Sequence, residues 1–259
     1  MTIKVDPDWW KSLFDEVYLV TDARSVCDKE ITQREVDLVC ELLGVSPNHR
    51  ILDLCGGHGR HSLELCARGM GNCTLVDYSH YLIDHARSFA AESGFTLECL
   101  REDARSTGLP DAAFDRVIVM GNSLGYLVDA DADRAILFEA NRVLRSEGWL
   151  LVDVVDGKQA KSSFRPNAWH EIGSDTVVCR QREIQDDRVC ARELVVSKRS
   201  GLVRDRSYSI KLYDEQEIVT LMEETGFKQV QAHTGFSFHR LRGDYGFMNC
   251  RIIATGRKP

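Results

Sequence analysis

Arg50-Ile51-Leu52-Asp53-Leu54-Cys55-Gly56-Gly57-His58-Gly59-Arg60-His61 decides the fold of this chain. A short apolar run, Arg50 to Leu54, meets three glycines within five residues, and helical spacing starts directly behind them. That order reads as a buried strand, a tight turn and a helix over His61 to Met70, ending near Gly69. Downstream the same rhythm repeats. Asn72–Asp77 reads as a second strand and Ser79–Glu92 as a second helix, with Ser79 as its N-cap. Phe95–Leu100, Phe114–Gly121 and Trp149–Val155 supply three more strands, and a helix over Asp131–Leu144 precedes the last. Strands alternating with helices make right-handed crossover units and a parallel sheet covered on both faces. The fold class is α/β.

After Val155 the period changes. Thr176–Ile184, Arg188–Ser197 and Val203–Tyr213 alternate with period two, and Asp186-Asp187 and Ser200-Gly201 supply turns, as antiparallel hairpins require. An amphipathic helix, Asp214–Thr225, closed by Gly226, then restores the α/β pattern. Phe227–His233 and Asn249–Thr255 add two closing strands, for seven in the main sheet. Two amphipathic helices are expected before residue 50, near Trp9–Tyr18 and Gln33–Leu43. The chain therefore divides into an N-terminal helical cover (1–48), an α/β domain (49–156 and 214–259) and a β insertion after strand five (157–213).

Composition bounds the function. The 259 residues are 43% hydrophobic and 28% charged, with 19 Gly and 5 Pro, which excludes disordered and collagen-like classes. No apolar run approaches a membrane span, and Met1–Trp10 lacks a basic-then-apolar leader, so a cytoplasmic protein is expected. Nine cysteines contain no C-x-x-C pair; Cys27, Cys40, Cys66, Cys99, Cys179 and Cys190 read as small buried hydrophobes, and no metal site is expected. The formal net charge of −7 argues against nucleic acid as a partner. Residues 157–213 nevertheless hold 12 Lys+Arg against 7 Asp+Glu, leaving 21 against 33 elsewhere. Arg180, Arg182, Arg192, Arg204 and Arg206 sit on three successive insertion strands. They form either a positive wall for an anionic acceptor or a solvated outer face blunting edge strands, and the second is the expectation.

Three acids fall in order at consecutive strand ends. Asp53 precedes the glycine turn, whereas a dinucleotide fingerprint opens with G-x-G-x-x-G. An acid placed there suits a ligand bearing an ammonium rather than a pyrophosphate. Asp77 ends the second strand, where a carboxylate accepts both hydroxyls of a ribose. Asp103 follows the third, within reach of an adenine amino group.

With these features, Ile51–Val155 resembles the class I S-adenosylmethionine-dependent methyltransferases. The resemblance implies a Rossmann-like, seven-stranded, mostly parallel sheet and S-adenosylmethionine as cofactor, with S-adenosylhomocysteine as product. It places Gly56, Gly57 and Gly59 in the cofactor turn, Asp53 near the methionine ammonium and Asp77 on the ribose. Asp103 and Ala104 would meet the adenine, with Tyr78 packing beside it. Cys55 stands where the family's first glycine is found. Met120-Gly121-Asn122-Ser123-Leu124-Gly125-Tyr126 lacks an N-P-P-Y motif and looks like enzymes that methylate amino sugars, glycine-type amines and sugar hydroxyls.

The resemblance puts the methyl-transfer region at the end of the fourth strand. Tyr18, Tyr126 and His239 are the catalytic candidates there, and Asn122 a further cofactor contact. Asp153 and Tyr245 are also near; Asp153 reads as a strand-end cap, His239 as a solvated loop residue and Tyr18 alternatively as a packing tyrosine. Arg24 is a candidate partner for the cofactor carboxylate, with a surface ion pair as the alternative. The implied activity is methyl transfer to an N or O nucleophile of a small molecule, by a monomer or homodimer with no membrane partner. The alternatives are an enzyme that modifies the cofactor itself and a cofactor-binding subunit without its own catalysis.

Overall fold

A computed structural model describes residues 2–22, 26–129, 131–238 and 249–259. Three of the residues singled out above, Arg24, His239 and Tyr245, lie outside them. The chain runs α1 (Trp10–Leu13), α2 (Glu16–Thr21), α3 (Lys29–Leu43), β1 (Ile51–Leu54), α4 (Arg60–Ala67), β2 (Cys73–Asp77), α5 (His80–Glu92), β3 (Glu98–Arg101), β4 (Phe114–Val119), α6 (Ala132–Val143) and β5 (Leu144–Val155). It continues through α7 (Gly157–Ser162), β6 (Asn167–Ile172), β7 (Thr176–Gln185), β8 (Arg188–Ser197), β9 (Gly201–Lys211), α8 (Glu215–Glu224), β10 (Lys228–Phe236) and β11 (Arg251–Arg257).

The main sheet has the strand order β10-β11-β5-β4-β1-β2-β3. Strands β3, β2, β1, β4 and β5 are parallel, while β11 runs antiparallel to both β5 and β10. The order reverses between β1 and β4, and in open α/β sheets ligands gather at the carboxyl ends beside such a switch. Central strands are buried on both faces: Ile51, Leu52, Leu54, Val117, Ile118 and Val119 have no exposed surface. This explains their continuous apolar runs. Helix α5 starts where Ser79 accepts from the Leu82 backbone N–H, and α8 starts with a full capping box between Asp214 and Glu217.

The insertion is a separate antiparallel sheet, β6-β7-β8-β9, with four strands rather than three. Strand β6, Asn-Ala-Trp-His-Glu-Ile, escaped the reading because it is short and keeps Trp169 68% exposed, so its alternation is not one of apolar and polar residues. Helix α7 was missed as well; the Asp156 carboxylate caps it by accepting from Gln159 N–H. The helix expected over Trp9–Tyr18 is two short ones. Phe14 leaves helical geometry and Asp15 accepts from Val17 and Tyr18 N–H, so a cap outcompetes continuation. All nine cysteines are free, and Cys27 is exposed, contrary to its reading as buried; Cys40 and Cys179 are half-buried. Among the described residues no helix is long and apolar enough to cross a membrane.

Candidate active site

The turn after β1 is built by close backbone contact. Gly56 N–H donates to Val76 O at 3.1 Å, and Gly57 N–H donates to the Asp77 carboxylate at 2.8 Å. Cys55, Gly57 and Gly59 all adopt the left-handed conformation, at φ 62°, 60° and 78°. Cys55 therefore occupies a position where glycine is less strained. A Cβ on Gly56 would lie 2.2 Å from Leu75 Cδ1 and 2.6 Å from Asp53 Cγ. Gly56→Ala is expected to destabilise the fold by about 1–3 kcal/mol, the usual cost of overpacking, read as a lower urea midpoint.

Asp53 sits beneath this turn rather than in the cavity. It has no exposed surface, accepts from Ser62 Oγ at 2.7 Å, and its carboxyl is pushed up by burial. Gly59 serves as the N-cap position of α4 and packs toward Leu75 and Ala86, away from the lining. Gly56 and Gly57 face the cavity directly, and Cys55 lines it too.

Asp77, Tyr78, Asp103 and Ala104 come together on one wall of the same cavity. The two Asp77 oxygens each accept one backbone N–H, from Gly57 and Ser79, both at 2.8 Å. Each oxygen retains a lone pair, so the carboxylate is oriented for two further donors, as a ribose diol supplies. Burial pushes Asp77 up to about 6 against the pull of its backbone donors. The site needs the anion, because a protonated carboxyl places a donor where an acceptor is required. Affinity for S-adenosylhomocysteine is therefore expected to be flat above pH 7 and about tenfold weaker at pH 5, by linkage to this raised group. Calorimetric titration across that range checks it. Asp103 is held low by Arg105, whose guanidinium reaches its carboxylate at 2.6 Å. Trp10 from the N-terminal cover meets the Tyr78 ring edge-on, centroids 4.7 Å apart.

At the end of β4, Met120, Gly121, Ser123 and Tyr126 line the cavity, but Asn122 does not. Asn122 is fully buried with its Oδ1 accepting from Val155 N–H at 2.7 Å, and its backbone N–H donates to Asp153 O. These bonds tie β4 to β5. Asp153 is likewise no strand-end cap. It is completely buried, accepts from Gly121 N–H at 3.0 Å, and pairs with the buried Arg251 of β11 at 2.8 Å.

The opposite wall comes from the N-terminal cover and the insertion. Trp9, Phe14, Tyr18 and Tyr126 form a chain of ring contacts: Trp9–Tyr126 at 5.4 Å, Phe14–Tyr126 at 5.5 Å and Phe14–Tyr18 at 5.0 Å. Tyr208 of β9 joins through Trp9 at 5.8 Å. The cover is fixed by Ser79 Oγ, which donates to Phe14 O at 2.6 Å. Burial raises the phenols of Tyr18 and Tyr126 well above their ordinary range and pushes Tyr208 up to about 12. These hydroxyls stay protonated at ordinary pH.

The arginines of the insertion divide by face. Arg180, Arg182 and Arg204 are buried, which corrects the expected solvated face; Arg192 and Arg206 are exposed. Arg180 bridges Glu193 at 2.7 Å and Asp22 of α2's C-terminal end at 3.3 Å, and Arg204 pairs with Asp15. Arg180 and Arg204 thus meet carboxylates from the cover and from β8. A one-strand alternation could not show which face turns inward.

Several cavity residues were not among the site candidates read from the sequence: Trp9, Phe14, Glu193 and Tyr208, and the cluster that Glu35 forms with Arg60 and His61. In that cluster Glu35 accepts from Arg60 and lies 3.0 Å from His61 Nε2, and it is held low despite burial. His58 beside it is pushed down to about 3 by burial and by Arg60, so it is neutral at ordinary pH.

Residues 51–148 match the family model described as a methyltransferase domain. The chain carries a methyltransferase domain. It is similar to the putative methyltransferase YqeM of Bacillus subtilis, at 27% identity over 202 residues, 76% of each chain. The CcbJ methyltransferase of Streptomyces caelestis superposes with a TM-score of 0.76 at 18% identity, covering 98% of this chain and 99% of that one. CalS10, an amino pentose methyltransferase from Micromonospora echinaspora, superposes with a TM-score of 0.63 at 18% identity, covering 94% and 98%. Residues 51–148 match a methyltransferase domain, and the fold is the Rossmann-like fold of S-adenosylmethionine-dependent methyltransferases.

Proposed function

We propose that this methyltransferase passes the methyl group of S-adenosylmethionine to a nitrogen or oxygen nucleophile of a small molecule. The observation that carries the reading is one cavity with two unlike walls. One wall holds the oriented Asp77 carboxylate and the Gly56-Gly57 backbone; the other is the aromatic cluster of the cover and insertion. The first wall fits the cofactor: its glycines leave room where a Cβ would collide, and its carboxylate has lone pairs left for a diol. Asp77 would hold the ribose, Asp103 with Ala104 the adenine end, and Gly56 and Gly57 the backbone of the methionine portion. When bound, the cofactor supplies an electrophilic methyl group.

The chain's own part is alignment and exclusion of water. Trp9, Phe14 and Tyr126 close over the region beyond Gly121, and the protonated phenols of Tyr18 and Tyr126 supply donors that orient the nucleophile. An amine needs to arrive neutral, whereas a hydroxyl needs an ionised base. With Tyr18, Tyr126 and Tyr208 all held protonated, the described wall suits an amine better. The insertion sheet acts as a lid whose inner face meets the acceptor, and CalS10, with a similar fold, acts on an amino pentose.

The test is formation of S-adenosylhomocysteine from S-adenosylmethionine with a panel of primary and secondary amines and matched alcohols. Amine-dependent turnover, rising with pH as the amine loses its proton, is expected. Cofactor binding without turnover on any acceptor, but activity on adding a second protein, would favour the subunit reading. A cofactor recovered with altered mass would favour modification of the cofactor itself.

A further inference from the structure

Three arginines among the described residues line the cavity: Arg60, Arg204 and Arg251. Arg204 and Arg251 serve the fold, with side chains 5% and 2% exposed that pair with Asp15 and Asp153. Arg60 is the most open of the three, at 11%. Its Nη1 donates to Glu35 and to Thr32 Oγ1, the latter at 3.2 Å. Its Nε and Nη2 meet no acceptor among the described residues, and both keep accessible surface. That edge is the fork with which an arginine takes both oxygens of a carboxylate. Glu35 also lies 3.0 Å from His61 Nε2. Burial works against the Arg60 charge, and the Glu35 carboxylate more than restores it.

Arg60 is the first residue of α4 and follows directly on the glycine turn, whose Gly56 and Gly57 line the same cavity. Helix α4 starts without a side-chain cap, so the positive end of its dipole is left open at this place. The assignments made above give the ribose to Asp77 and the adenine end to Asp103 and Ala104, and leave the charged amino-acid end of the cofactor without a charged partner. Asp53 is sealed beneath the turn and does not supply one. We propose that the free edge of Arg60 binds the α-carboxylate of S-adenosylmethionine. Glu35 does not oppose this, because it is held at Nη1, on the far side of a planar guanidinium from that edge. The inference rests on the methyltransferase reading and adds to it the residue that recognises the amino-acid end.

The test is calorimetric titration of the full chain with S-adenosylhomocysteine and with 5′-(3-aminopropylthio)-5′-deoxyadenosine, which keeps the adenosine, sulfur and amine and lacks only the carboxylate. The wild type is expected to bind S-adenosylhomocysteine at least tenfold more tightly than this probe. Arg60→Met is expected to erase most of that preference, weakening S-adenosylhomocysteine about tenfold while the probe binds as well as before or better. Removing Arg60 alone leaves Glu35 buried without its cation, so Arg60→Met with Glu35→Gln repeats the measurement on a neutral pair. Equal affinity of the wild type for the two ligands overturns the proposal. So does an equal loss of both ligands in the variants, which would give Arg60 a structural role only. A preference that survives Arg60→Met but disappears in Arg24→Met overturns it as well and moves the carboxylate to Arg24. Failure of the wild type to bind S-adenosylhomocysteine would instead sink the methyltransferase reading itself.

Discussion

Asp77→Ala is expected to weaken binding of S-adenosylhomocysteine by roughly thirty- to hundredfold. The carboxylate is fixed in the cavity by two backbone donors and still has lone pairs free for a ligand. Each hydrogen bond to a charged group contributes about 1.5–3 kcal/mol, so losing a bidentate contact costs around 2–3 kcal/mol after water partly replaces it. The substitution also frees Gly57 N–H, which loosens the turn. Asp77→Asn separates the two effects, since an amide oxygen can keep one of the backbone bonds. A smaller loss in Asp77→Asn, with the pH dependence below 7 abolished, would place the effect on the ionised carboxylate. Calorimetric binding unchanged in both variants would remove the ribose assignment.

Arg251→Met is expected to lower stability by about 3–5 kcal/mol, as for a buried ion pair deprived of one member. Arg251 is 1% exposed and Asp153 fully buried, 2.8 Å apart, and the carboxylate also accepts from Gly121 N–H. Burial raises Asp153 while Arg251 lowers it, so removing the cation leaves the carboxyl uncompensated and it takes up a proton. The sign follows from the raised group. An Arg251→Met protein regains stability as pH falls and Asp153 is neutralised, opposite to the ordinary acid limb of the wild type. Urea denaturation at pH 7 and pH 5.5 reads both effects. The double change Arg251→Met with Asp153→Asn should recover much of the loss, because a neutral amide no longer needs the cation. If Arg251→Met costs under about 1 kcal/mol, the pair is not the support under Gly121 that the burial implies.

Much of the α/β core was legible because periodicity and turn chemistry are local. The apolar runs of β1, β4 and β5 and the caps at Ser79 and Asp214 are written in adjacent residues. The glycine turn was legible for the same reason, and so were Asp77, Asp103 and Ala104, which follow strands by fixed offsets. Depth is what local reading could not give. Asn122 and Asp153 lie at strand ends near the cavity in sequence, yet β5 and β11 bury them below its floor. Asp53 stands before the glycines but under the turn, held by Ser62.

The sequence by itself determined the α/β class, most of the strands and helices and the glycine turn, since periodicity and turn chemistry are local. The acceptor wall depends on separations of a different size. Arg204 meets Asp15 across 189 residues and Arg180 meets Asp22 across 158. Which face of the insertion turns inward is set by how that sheet packs on the N-terminal cover, and period-two alternation is the same for either face. Only the tertiary structure could therefore bury three of the scattered arginines, set two of them, Arg180 and Arg204, against carboxylates, and bring Trp9 into the same chamber as Arg204.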